Sequence, residues 1–252
     1  MGVYAGPKIV DNNNLSFSID FANTKSYIGS GLTVTSQIGN VSSNFSIKDN
    51  FYKVYDLEVA DFVIPNAPES PLPTFNSSNL GYINFRQSNG YLDFSIPNVG
   101  NVLTIEMWIK LETNYSDNIV LSFGDYTVGS FSGGLGFNTS NGDLYGISST
   151  NVSTLGLIEN WKHYVFEMRS DISYSNNKIY INGQQQTITS LLGSESSSNR
   201  NFNGGSGRIA SWSKISGYEM PMDLSLIRIY NNSLTASKVL ENFNSNRGRF
   251  SV

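Results

Sequence analysis

"SLIRIYNNSLTASKVLENF", Ser225 to Phe243, joins a strand pattern to a helix pattern across a polar turn. Leu226–Tyr230 is apolar and largely β-branched apart from Arg228, a composition that suits a pleated, buried element. Asn231, Asn232 and Ser233 carry turn chemistry. Thr235 is placed to cap a helix, because its hydroxyl can accept from a first-turn N–H. Leu234 can pack on Val239 as a hydrophobic staple. Val239, Leu240 and Phe243 then share a face, and Asn244 and Gly248 supply stop signals. A helix this short does not stand alone in water. The pattern therefore predicts a small helix docked on the sheet to which the preceding strand belongs.

Working outward from it, the rest of the chain reads as strands. In "LSFSIDF" Leu15, Phe17, Ile19 and Phe21 alternate with Ser16, Ser18 and Asp20. "YLDFSI" aligns Leu92, Phe94 and Ile96. "VLTIEMWIKL" sets Leu103, Ile105, Met107, Ile109 and Leu111 against Thr104, Glu106, Trp108 and Lys110. In "WKHYVFEM" Tyr164, Phe166 and Met168 make one apolar face, and His163, Val165 and Glu167 a mixed one. "KIYINGQQQTIT" is a hairpin signal, since Asn182-Gly183 supplies the positive-φ pair of a tight I′ turn. Two long segments interrupt the pattern. Ile64–Asn79 holds four of the seven prolines and cannot be a central strand. Leu191–Arg208 is rich in Ser, Asn and Gly. The expected class is all-β, a two-sheet antiparallel jelly-roll sandwich with a short C-terminal helix.

Bulk composition narrows the function classes. The chain has 252 residues, enough for one large β domain, and no cysteine, which excludes disulfides and cysteine metal sites. Only 14% of residues are charged, the net charge is −4, and 13% are aromatic. The acidic balance offers no basic surface for nucleic acid. No apolar run reaches the ~20 residues of a membrane span. "MGVYAGPKIVDNNN" lacks the basic end and apolar core of a signal peptide. Export by lysis or as part of a particle is the expectation that follows.

Four elements in order carry a family resemblance: "LTIEMWIKL", "NWKHYVFEM", "KIYINGQ" and "IRIYNNSLTASKVLENFN". Together they resemble the laminin-G-like, concanavalin-A-like jelly-roll domains over roughly residues 80 to 245. That resemblance implies a sandwich with ligands on a concave face or rim. The flanks Gly6–Gly31 and "NFNSNRGRF" (Asn242–Phe250) resemble laminin-G-like proteins of tailed bacteriophages. There "LTVTSQIGN" replaces the tryptophan-containing segment of relatives, and the turn Arg86–Gly90 lacks their acidic residues. The resemblance implies a virion component of tail, fibre or capsid decoration, made in the bacterial host cytoplasm. Residues 1–80 are expected as an N-terminal strand with long loops, belonging to the sandwich or forming an assembly arm. Residues 81–252 are the jelly-roll core, with a single domain overall.

Catalytic constellations are scarce. His163, the single histidine, reads as a hydrogen-bonded packing residue, and no Gly-x-Ser-x-Gly elbow accompanies it. In "YDLEVAD" Asp56 and Glu58 would share a strand face, but Ala60 breaks the carboxylate triple of a glucanase strand. No enzymatic activity is expected. Asp125, Asp143 and Asp223 are candidate calcium ligands by their position in or near loops. Tyr126, Trp212 and Tyr218 are candidate ligand-binding aromatics among polar residues. Two functions stay open: a non-enzymatic structural protein that assembles with other virion proteins, as a homo-oligomer, and a carbohydrate-binding module for host-surface glycans.

Overall fold

The computed structural model describes residues 14–22, 33–35, 56–58, 74–85, 91–95, 100–112, 118–123, 126–131, 133–139, 144–170, 176–192, 206–212 and 218–252. Its strands, numbered in chain order, form two antiparallel sheets packed as a sandwich. The first sheet runs β14 (Gln184–Gln185), β13 (Lys178–Ile181), β12 (Trp161–Arg169), β7 (Val102–Leu111), β17 (Met222–Tyr230), β5 (Tyr82–Asn84) and β4 (Thr74–Asn76). β1 (Leu15–Asp20) also pairs with β17, along Leu226–Tyr230, where β5 has ended. The second sheet runs β15 (Thr189–Leu192), β11 (Leu144–Ile147), β10 (Gly134–Thr139), β9 (Tyr126–Phe131), β8 (Asn118–Phe123), β16 (Ser206–Ile209) and β6 (Leu92–Ser95). β2 (Thr33–Thr35) and β3 (Asp56–Glu58) pair separately. A 3-10 turn (Ser78–Leu80), a six-residue helix, α1 (Ser149–Thr154), and a longer one, α2 (Ala236–Phe250), complete the described elements.

The alternation in the sequence becomes the inter-sheet core. Leu103, Ile105, Met107, Ile109 and Leu111 meet Phe166, Met168, Ile227, Ile229, Val128 and Phe137, all buried. The Asn182-Gly183 turn has φ of 50° and 81° and closes β13 on β14, as its sequence predicts. Several strand pairs carry register shifts, and the one in β1 redirects a core side chain. Register shifts between Leu15 and Phe17, so Leu15 lies opposite Tyr230 while Phe17 lies opposite Ile229. The irregularity turns Leu15 to the other side of the sheet, where it packs with Val165, Tyr180, Tyr230, Leu234 and Val239.

The face of β7 opposite the apolar series is buried as well. Glu106 and Trp108 are 0% exposed beneath α2, and Thr104, also 0% exposed, donates to the Asn232 carbonyl at 2.6 Å in the turn before the helix. Thr235 Oγ1 accepts from the Lys238 N–H at 3.3 Å and caps the helix as predicted. Leu234 and Val239 share one apolar cluster, the expected staple. The stop does not fall at Asn244 or Gly248: the helix runs to Phe250 and ends where Ser251 adopts φ 57° and its N–H reaches the Arg247 carbonyl. The buried face is Val239, Asn242, Phe243, Asn246 and Phe250. Leu240, expected among them, is 45% exposed, since each helical residue turns ~100° from the last and one step past Val239 leaves the seam. Arg249 fastens the far end. Its guanidinium donates to Asp20 Oδ1 (2.7 Å), the Asn79 carbonyl (2.6 Å), the Gly81 carbonyl (2.8 Å) and Ser225 Oγ.

Candidate functional site

Among the described residues two places concentrate chemistry, and they lie on opposite sides of the sandwich. Under α2, the Glu106 carboxylate accepts four hydrogen bonds. Oε1 takes His163 Nε2 (3.1 Å) and Arg228 Nη1 (2.9 Å), and Oε2 takes the Tyr230 hydroxyl (2.9 Å) and Asn242 Nδ2 (2.8 Å). Because a carboxylate only accepts, the His163 proton on this contact sits on Nε2. Burial by itself would raise the Glu106 pKa. The Arg228 charge and the hydrogen bonds from His163 and Tyr230 outweigh it and hold the carboxyl at about 2. His163 is packed between Trp108 and Phe243 and is 0% exposed. No substrate reaches this cluster. It is a buried polar clamp between helix and sheet, and the packing role read for His163 is the one observed.

The outer face of the second sheet is different. Thr127, Asn138, Leu144 and Leu192 are successive cross-strand neighbours on β9, β10, β11 and β15. They form one wall of a cavity of about 290 Å³. Ile119, Phe131, Trp212 and Tyr218 complete the described lining. Ile119, Phe131 and Leu144 belong to a cluster separate from the inter-sheet core. Between Thr127 and Phe131, and between Asn138 and Gly134, the sheet carries glycine. Gly129, Gly136 and Gly146 are direct cross-strand neighbours. A Cβ on Gly136 would sit 2.5 Å from the Tyr145 carbonyl oxygen and 2.7 Å from Gly146 Cα. These are backbone atoms and cannot swing away. The row lets the three strand backbones approach closely beside the residues of the cavity wall. Gly136→Ala is expected to lower stability by about 1–3 kcal/mol in urea unfolding, the usual cost of overpacking. An unchanged midpoint would show that the sheet yields there.

Trp212 is aimed by its backbone. β16 ends at Ile209, and the next residue, Ala210, has a φ of 65°, a left-handed conformation unusual for a residue with a Cβ. The Ala210 N–H donates to Val120 O, and its carbonyl accepts from Met220 N–H. Arg208 Nη1 donates to the Trp212 carbonyl at 3.3 Å, while its guanidinium lies 3.5 Å from the Tyr91 ring centroid. Tyr218 is held by its carbonyl, which accepts from Ile119 N–H at 2.8 Å. The Trp212 and Tyr218 rings meet edge to face at 5.3 Å and 81°. Asn138 Oδ1 is buried and, among the described residues, has no donor. Thr127 Oγ1 contacts the Asn138 carbonyl at 3.5 Å.

The residues singled out from sequence therefore separate. Trp212 and Tyr218 come together on the cavity. Tyr126, expected as an exposed loop aromatic, is a core residue instead. It opens β9 on the inward face, is 0% exposed, and its hydroxyl donates to the Arg169 carbonyl and accepts from Asn177 Nδ2 at 3.3 Å. Asp223, expected near a calcium loop, lies inside β17, is 3% exposed, and accepts from its cross-strand partner Asn84 at 2.8 Å. Its carboxylate serves strand pairing. Asp125 and Asp143 lie outside the described residues, as do Arg86–Gly90 and Ala60. Among the described residues no group of three His, Cys, Asp or Glu side chains is placed to hold a metal ion. Thr127 and Asn138 were missed. The signal for Asn138 was the alternation of "GLGFNT", which puts Gly134, Gly136 and Asn138 on one face.

Comparison with known proteins agrees with this architecture. Residues 86–240 match the family model described as the concanavalin A-like lectin/glucanases superfamily. No curated protein matches the sequence. Among solved structures, the binding domain of Paraclostridial Mosquitocidal Protein 1 superposes with a TM-score of 0.58 at 17% identity, over 92% of this chain and 52% of that one. The botulinum neurotoxin serotype D ligand binding domain, solved in complex with N-acetylneuraminic acid, gives 0.55 at 11% identity, over 92% and 51%. Domain 4 of a GH43 extracellular arabinanase from Geobacillus stearothermophilus, in complex with arabinotriose, gives 0.54 at 15% identity, over 90% and 97%. The chain spans about half the length of the toxin domains it matches. At these identities the likeness is one of fold.

Proposed function

The chain belongs to the concanavalin A-like lectin/glucanases superfamily, and on that premise we propose that it is a non-enzymatic binding module whose ligand is a glycan. The observation that carries the reading is the cavity beside Trp212 and Tyr218. It has features of a small-molecule site: a concavity that joins apolar walls to a few placed polar groups. Its described lining contains no carboxylate, whereas glycoside hydrolysis uses two flanking the scissile bond. That supports binding over cleavage. The toxin and arabinanase domains that share the fold are themselves binding domains or were solved with a saccharide, which favours the same role here.

The finer placement is a bacteriophage particle, as tail, fibre or capsid decoration. It rests on the flanks Gly6–Gly31 and Asn242–Phe250, which resemble those of laminin-G-like phage proteins. On a particle, or as a homo-oligomer, many copies act together. A shallow site of weak single affinity then gains strength by avidity toward host-surface glycans.

The test is a glycan array probed with the chain in multivalent display. A reproducible signal is expected, and Trp212→Ala is expected to weaken the matching monovalent affinity about tenfold or more, as loss of a central aromatic anchor does. A blank array from folded protein would sink the glycan reading and leave assembly with other virion proteins as the function to pursue.

A further inference from the structure

The chemistry of the ligand can be narrowed further, and this step rests on the glycan-binding reading above. We infer that the cavity takes a single uncharged sugar unit, with one ring face against Trp212 and a hydroxyl donated to Asn138, and that it discriminates against acidic sugars.

Four observations converge. The first is charge. Among the described lining residues no side chain is cationic or carboxylic; the polar contributions come from Thr127, Asn138 and Tyr218. Arg208 is near, but it is engaged with the Trp212 carbonyl and stacked on Tyr91. From the described lining a sugar carboxylate would lose water without gaining a counter-charge, a cost that neutral hydroxyls avoid. The second is hydrogen bonding. Asn138 lines the cavity, and among the described residues its buried Oδ1 has no donor, so a small turn of the amide presents an unmatched acceptor to the cavity. An unmatched acceptor is stabilised by an incoming O–H and repelled by an anion. The third is shape. About 290 Å³ lies at the lower edge of the roughly 300–1,000 Å³ typical of small-molecule pockets. That volume suits one ring, a terminal unit or a branch, better than several units of a chain. The fourth is the wall. Ile119, Phe131 and Leu144 are apolar and sit with Trp212 and Tyr218 in one cluster. A sugar ring offers a matching C–H face, while its rim offers hydroxyls to Asn138 and Thr127.

The experiment compares glycans ending in neutral hexoses or pentoses with matched glycans ending in sialic or uronic acid, on one array. The best terminal unit is then titrated as a free sugar by ligand-observed NMR against the wild-type chain, Trp212→Ala and Asn138→Leu. Asn138→Leu keeps the volume and removes the acceptor. The expected result is signal confined to neutral termini, lost with Trp212→Ala and weakened about tenfold or more with Asn138→Leu, at unchanged melting temperature for the latter. Acidic termini bound as well as neutral ones, with the signal still lost in Trp212→Ala, would overturn this inference and leave the glycan-binding reading standing. Neutral binding that Asn138→Leu leaves intact would overturn the hydroxyl contact. A blank array, or binding indifferent to Trp212, would overturn both.

Discussion

Glu106→Ala is expected to lower the stability of the chain by about 3–5 kcal/mol, the cost of breaking a buried ion pair by removing one partner. Native domains are stable by roughly 5–15 kcal/mol in total, so this one change would remove a large part of the margin. Arg228 is 3% exposed and takes its charged partner from Glu106 at 2.9 Å. Without the carboxylate its charge stays buried, and the Tyr230, Asn242 and His163 donors lose their acceptor. Urea unfolding at neutral pH measures the loss; a change under about 1 kcal/mol would show that water or a rearranged side chain replaces the carboxylate. The same group predicts an acid limb. Its folded pKa, about 2, lies below the ordinary 4.5. A depressed carboxyl contributes stability that is fully present above about 4.5 and is lost as pH falls toward 2. Glu106→Gln should therefore flatten the fall in stability across that window. A slope identical to wild type would assign it to other carboxylates.

Why this clamp was invisible in the sequence is a matter of which elements meet. Period two sorts Leu103 to Leu111 from Thr104 to Lys110 correctly, and the side with the unbroken apolar series is the inter-sheet core. Nothing local says what covers the other side. The cover comes from Asn242 and Phe243, more than a hundred residues later, and reads as polar because its central contact is Asn242 to Glu106. Arg249 and Asp20 are 229 residues apart, and only the closed fold makes them partners. Thr235 and Asn182-Gly183 were legible for the opposite reason. Their work is done within a few residues of themselves.

The candidate site divides along the same line. Trp212 and Tyr218 stand out as aromatics among polar neighbours, and the fold brings their rings to 5.3 Å. Tyr126 stands out equally, yet strand register turns it inward, where it packs edge to face on Phe137. The polar half of the site is a product of pairing. Thr127, Asn138 and Leu144 become neighbours only when β9, β10 and β11 align, and in sequence they are separate and unremarkable. The glycine row beside it is likewise three unrelated glycines until the strands pair.

Deleting residues 236–252 is expected to abolish cooperative folding, although the segment makes no contribution to either sheet ladder. Val239, Phe243 and Phe250 are buried by docking on the first sheet, at 0%, 7% and 5% exposure. At about 1.5–3 kcal/mol for each side chain, their burial contributes roughly 5–9 kcal/mol. That is comparable to the whole stability of a domain. The deletion would also uncover Trp108 and Leu226, take Asn242 from Glu106, and open the Arg249 contacts to Asp20, Asn79 and Gly81. The sheet would then present a large apolar face and a half-paired charge to water. Far-UV circular dichroism during heating should show no sharp transition, with aggregation in its place. A milder form keeps the test graded. Phe250 stacks on Trp108 at 4.2 Å, and Phe250→Ala is expected to cost about 3–5 kcal/mol while leaving the rest of the helix in place. A truncated chain that melts cooperatively within a few degrees of the full one would mean that the two sheets fold without their cover. The helix would then be an ornament on the sandwich, and the Glu106 clamp would need another explanation for its burial.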